Sequence, residues 1–209
     1  MKHIRHEEFV VLFGTMMQKM DKLEYPKNAL TILAQKMNKL WEVVCKNGIN
    51  GPSEGFCPFL PIVPTTFFSI EEHLHLLDFS LPKNLPTREN QLLIDEPYFI
   101  IAVNDGSEFF ESNLVFARSS IAEQNRVPLS DIESFSLFLH SNALTDPLRT
   151  AESYYAALGT KYVNLSESEI GSPKKEFIPT FDLQLRRFVL VEEGTNQHML
   201  CPSRENIIV

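Results

Sequence analysis

The side chains best suited to chemistry lie late in the 209-residue chain. His198 and Cys201 stand close together, and Asp182 falls in an adjacent predicted strand. A thiolate, an imidazole and an orienting carboxylate would form the nucleophilic site of a hydrolase or transferase. Against this stands the commoner arrangement of a structural cysteine beside a surface histidine. Cys57, between Phe56 and Pro58, reads as a small buried hydrophobe. His73 and His75 are two residues apart, so they share a face only if the segment is extended. On a helix they diverge and cannot chelate one metal. Asp131 and Glu133, like Glu71 and Glu72, read as acids in the first turn of a helix, where they favour its dipole. Paired carboxylates for acid–base work need burial to separate their pKa values, and nothing in the flanking sequence predicts it. Arg186-Arg187 reads either as an anion contact or as a solvated strand edge that resists strand addition.

No phosphate-cradling Gly-x-x-x-x-Gly-Lys, Gly-x-Gly-x-x-Gly, Gly-x-Ser-x-Gly or His-Glu-x-x-His occurs, and no pattern implies a cofactor or a metal site. The net charge of −8 argues against a nucleic-acid binder and against adhesion to an anionic membrane. No apolar run approaches the roughly 18 residues of a membrane span, and no secretory h-region follows the basic start. Three cysteines, an odd and sparse set, fit a reducing cytosol. Asn164-Leu165-Ser166 matches a glycosylation sequon by chance in such a setting.

The elements that would position these groups are organised around Phe56–Leu77. Pro58, Pro61 and Pro64 exclude helix, while Phe59, Leu60, Ile62 and Val63 are too apolar for a solvated loop. The pattern predicts an extended arm or edge strand across the core, handing over to a helix from Ile70 to Leu77 capped by Ser69 and Glu72. Upstream, apolar residues at helical spacing predict a helix from about His6 to Leu23 and a second from Pro26 to Lys46, forming a hairpin over residues 1–50. Met16, Met17, Met20 and Met37 lie on their stripes, either as core filler or as an adaptable contact surface.

Residues 51–209 form the expected body. Ser80–Asn90 reads as loop, and Pro97–Val103 as a strand buried on both faces, closed by a turn at Asn104-Asp105-Gly106. Ser107–Glu111 would return as a short strand. Helices follow at Asn113–Asn125 and, after a Val127-Pro128-Leu129 connector and a Ser130/Glu133 capping box, at Ile132–His140. Strands are expected at Ser153–Leu158, Phe177–Leu183, Phe188–Val191 and near Met199, with a hairpin turn at Glu193–Asn196. The fold class is α+β: a helical hairpin plus a small, mainly antiparallel sheet covered by helices.

The segment order resembles an uncharacterised, mostly actinobacterial family, a domain of unknown function. The resemblance rests on Pro58–Pro64 followed by Ser69-Ile70-Glu71, on Tyr98–Val103 with its Asn104-Asp105-Gly106 turn, on Val127-Pro128-Leu129-Ser130, and on Leu158-Gly159-Thr160. That family has no established activity, so the resemblance implies a fold rather than a function. The expectation is a non-catalytic interaction or regulatory protein of the bacterial cytosol. Its contact surface, for a partner protein or a second copy of the chain, would be the Met-rich helices. The alternatives are a cysteine-dependent hydrolase or transferase built on Cys201, His198 and Asp182, and an exported effector acting on a host.

Overall fold

The computed structural model describes residues 2–82, 86–90, 94–110, 112–140, 154–163, 175–192 and 199–209. His198, the expected turn at Glu193–Asn196 and the Asn164 sequon lie outside these residues.

The arm is buried as its composition demands. Phe56–Ile62 forms strand β1, with Phe59, Leu60 and Ile62 fully buried. Each such side chain contributes about 1.5–3 kcal/mol when removed from water. β1 pairs antiparallel with β3 (Tyr98–Asn104) and forms the edge of a four-stranded sheet ordered β1-β3-β10-β4. Two short strands complete it: β4 (Arg126–Pro128) and β10 (Ser203–Glu205). At the edge, Pro58 faces no partner that misses its N–H. The ladder runs from Phe56↔Asn104 to Ile62↔Tyr98 and skips the Pro58 position, opposite which Ala102 adopts φ 51°. Arg126 holds this bend: Nη2 donates to the carbonyls of Ala102 (2.5 Å) and Ser203 (2.9 Å), and Nε to the Ser203 hydroxyl (2.9 Å). β10 is thereby clamped beside β3.

After the arm comes α4 (Ile70–Leu76), closed by the expected capping box: Ser69 Oγ accepts from Glu72 N (3.2 Å), and Glu72 accepts from Ser69 N (2.6 Å). α6 (Asp131–His140) packs on β1, and its Ser136 hydroxyl donates to the Pro61 carbonyl (2.6 Å).

The remaining strands differ from the single small sheet expected. Among the described residues they form a second, six-stranded sheet that follows β2-β6-β7-β5-β9, with β8 on β7. Its strands are β2 (Thr87–Asn90), β5 (Tyr154–Ala156), β6 (Thr160–Val163), β7 (Glu176–Asp182), β8 (Arg187–Glu192) and β9 (Met199–Leu200); β5 and β9 run parallel. β2 replaces an expected loop, since pairing with β6 overrides its polar composition. Ser107–Phe109 is a 3-10 turn rather than a strand, because Gly106 at φ 82° and the Asp105 carboxylate accepting from Ser107 N (2.9 Å) turn the chain. α5 (Leu114–Glu123) starts from an Asn113 cap.

The N-terminal region holds three helices, not two. α1 (His6–Lys22) is followed by α2 (Lys27–Gln35) and α3 (Met37–Lys46), which part where Lys36 N donates to Leu33 O in a 3-10 turn. Both Leu33 and Leu40 are fully buried across that kink. Phe9 lies 5.0 Å from Phe59 and Phe13 5.7 Å from Phe99, ring to ring, so the helices and the arm share one core. Met16 and Met20 are buried in it, and Met17 and Met37 pack against its rim. The stripe offered as a contact surface faces inward. No described helix is long and apolar enough to cross a membrane.

Candidate functional site

Cys201 sits in a second apolar cluster with Leu114, Ile121, Ile178 and Met199. It is fully buried, and its Sγ donates to the Met199 carbonyl at 3.7 Å. Burial pushes the thiol up to about 12, above any tempering by the Arg118 charge. These surroundings hold Cys201 protonated, the reverse of what a nucleophile needs. Asp182 ends β7, where its carboxylate accepts from Leu185 N (2.9 Å) in the turn to β8. Cys57 is buried, donates to the Phe59 carbonyl (3.2 Å) and is likewise pushed up to about 12 by desolvation.

The two helical histidines diverge as their spacing requires. His75 is exposed. His73 is buried and stacked on Phe135 at 5.3 Å. One ring nitrogen, Nε2, lies 3.2 Å from the Val63 carbonyl, which can only accept, so Nε2 carries the proton and donates. Nδ1 therefore accepts from the Tyr25 hydroxyl at 3.1 Å. Burial lowers the His73 pKa to about 4, and the ring is neutral.

The acids of α6 correct the sequence reading. Asp131 and Glu133 are indeed first-turn residues, but they are buried, at 0% and 3% exposure. Each is matched by an arginine the sequence did not single out. Arg88, from β2, donates through Nε (2.8 Å) and Nη2 to the two oxygens of Asp131. Asp131 also accepts from the hydroxyls of Tyr162 (3.0 Å) and Thr160 (3.1 Å) and from Ile132 N (2.8 Å). Burial works against the charge on Arg88, yet its bonds to Asp131 outweigh that and raise its pKa. Arg204, from β10, is 2% exposed and donates through Nε to Glu133 (2.8 Å) and through Nη1 to the Glu205 carbonyl (3.0 Å). Glu133 also accepts from Ser130 N (2.8 Å), completing the capping box, and from the Tyr98 hydroxyl (3.4 Å). Burial first, and then Glu133, pushes the Tyr98 phenol well up, so it remains a donor.

Arg88, Arg204, Glu133 and Tyr98 border a cleft where the two sheets meet at the start of α6. It is lined from one sheet by Tyr98, Pro128 and Arg204 and from the other side by Arg88 and Gly159, with Thr65 and Thr66 following the arm. Gly159 is required there: a Cβ would lie 2.6 Å from the Pro128 carbonyl oxygen and 2.8 Å from Ser130 N. Its own N–H donates to Leu129 O (2.9 Å), tying the turn between β5 and β6 to the helix start. The cavity is about 80 Å3, enough for a few waters or a group of several heavy atoms, and far below the hundreds of Å3 that a drug-sized ligand occupies. Pro64, Tyr98, Val127–Pro128, Ser130 and Gly159 converge on this one cleft.

Signals for part of this were present. The capping box located Glu133; the two-residue spacing of Thr160 and Tyr162 puts both hydroxyls on one face only once β6 is known to be a strand. Nothing local marked Arg88 or Arg204, because their partners are 43 and 71 residues away. Comparison of the chain with protein-family models, with curated proteins and with solved structures finds no match.

Proposed function

We propose that this is a non-catalytic binding or regulatory protein of the cytosol, with its recognition site at the cleft between the sheets rather than on the Met-rich helices. The state of the reactive groups carries this reading. Cys201 and Cys57 are buried thiols, and the lone pairs of Asp131 and Glu133 are engaged by protein donors, so none is poised to attack or to take a proton. Support for the compartment comes from the cysteines, which are all free, Cys45 with its thiol in solvent.

Native-state alkylation followed by mass spectrometry tests the reading. Iodoacetamide at neutral pH is expected to label Cys45 alone, with Cys57 and Cys201 labelled only after unfolding. Rapid labelling of Cys201 in the folded protein, with an apparent thiol pKa below 8.5, would return the argument to a cysteine-dependent enzyme.

A further inference from the structure

Resting on that binding role, we infer that the cleft is a subsite for a small oxyanion: a carboxylate or phosphate group of about three to five heavy atoms. Arg204 is 98% buried as a side chain, borders the cavity, and uses only Nε and Nη1; Nη2 has no acceptor among the described residues. Arg88 borders the same cavity with its Nε and Nη2 on Asp131, and Nη1 has no acceptor among the described residues. Neither nitrogen is among the buried polar atoms left without a partner, so each opens onto the cavity, where a charge-assisted bond to an entering acceptor can replace water.

The neighbouring carboxylates do not compete for this position. Asp131 accepts from Arg88, Tyr162, Thr160 and Ile132, and Glu133 from Arg204, Tyr98 and Ser130. Each ion pair is neutral overall, so an entering anion meets donors and no net negative charge from the pairs. The backbone donors at the start of α6 play no part. Asp131 N is bonded to Thr160, Ile132 N to Asp131 and Glu133 N to Ser130. Size excludes larger ligands as wholes, so the site takes a terminal group and leaves the remainder outside, past Thr65 and the exposed Asp95. Among the described residues of the rim, Asp95 is the one exposed opposing charge.

Isothermal titration calorimetry on the full chain at fixed ionic strength, with inorganic phosphate and with acetate, tests the inference. The Nε–H resonances of Arg88 and Arg204 serve as the local readout. Saturable binding of about millimolar strength is expected, with those resonances shifting, while ethylammonium and glycerol do neither. Saturation by phosphate alone assigns a phosphate group, by acetate alone a carboxylate. Asp95→Asn should tighten binding about threefold by removing the rim charge. Thr65→Asp, which leaves both ion pairs intact, should weaken it about threefold or more. Arg88→Lys should weaken it about tenfold by losing the uncommitted donor. Absence of saturable binding by both anions overturns the inference, as does binding that Asp95→Asn and Thr65→Asp leave unchanged. Either result leaves the non-catalytic reading standing if Cys201 remains unreactive in the native protein.

Discussion

The Tyr25 hydroxyl donates to His73 Nδ1 across 3.1 Å. This bond joins the connector between α1 and α2 to the helix that follows the arm, and it exists only while His73 is neutral. Protonation would place a hydrogen on the nitrogen that must accept, in a ring packed between Phe135 and Phe68.

A dependence of stability on pH follows. The ordinary histidine value is 6.5, and burial holds His73 near 4 in the folded chain. Between those values the unfolded chain binds a proton that the folded chain does not. Stability therefore rises with pH across this window and is lost as pH falls from 6.5 toward 4. The gap corresponds to about 3 kcal/mol. His140, lowered to about 3 by burial and then by Lys19, adds to the same slope, so the diagnostic is the difference from a variant. Urea unfolding of His73→Gln, which keeps a donor and an acceptor but cannot titrate, should show a flatter profile. Parallel profiles for the two proteins would rule out His73 as the source.

The N-terminal helices should prove inseparable from the body. Phe9, Phe13, Met16 and Met20 are buried in the core that also holds Phe59 and Phe99. Removing residues 1–47 exposes the covered faces of β1 and β3, and the truncated chain should lack a cooperative thermal transition and bind a hydrophobic dye. A truncated chain with native near-ultraviolet dichroism would make the helices a separate module after all.

Much of the fold was legible because its signals are local. Ser69/Glu72 and Ser130/Glu133 fixed two helix starts, the prolines of the arm excluded helix, and Tyr98–Val103 announced a strand buried on both faces. The failures share another cause. β2, β4, β6 and β10 are short and polar, and they exist only through pairing with distant segments. The site failed for the same reason: Asp131 looked like a solvated cap until Arg88 and Tyr162 arrived from two strands of the second sheet. Composition reported the acids, but only tertiary structure decides whether water or an arginine meets them.

Two glycines should respond to alanine in opposite directions. Gly14 lies within α1, where an added Cβ meets nothing within 4 Å. Gly14→Ala should stabilise by about 0.5–1 kcal/mol through helix propensity. Gly106 has φ 82°, and its Cβ would fall 2.2 Å from the Cys201 carbonyl carbon. The left-handed backbone alone costs an alanine about 1 kcal/mol, and the overlap with main chain adds more. Chemical denaturation of both variants checks the pair; a Gly106→Ala protein as stable as wild type would contradict the close approach of the Asp105 turn to Cys201.

The Arg204–Glu133 pair should behave as a unit. Arg204→Met leaves Glu133 buried with no cationic partner, and such losses cost about 3–5 kcal/mol. Replacing both partners removes the unpaired charge along with the attraction, so Arg204→Met combined with Glu133→Leu should be more stable than Arg204→Met alone. It will not reach wild type, because Ser130 N loses the carboxylate that caps it, worth about 1 kcal/mol. A double-mutant cycle read by urea unfolding measures the coupling. Losses that simply add would mean that Glu133 is solvated when Arg204 is gone, and that water already reaches the floor of the cleft.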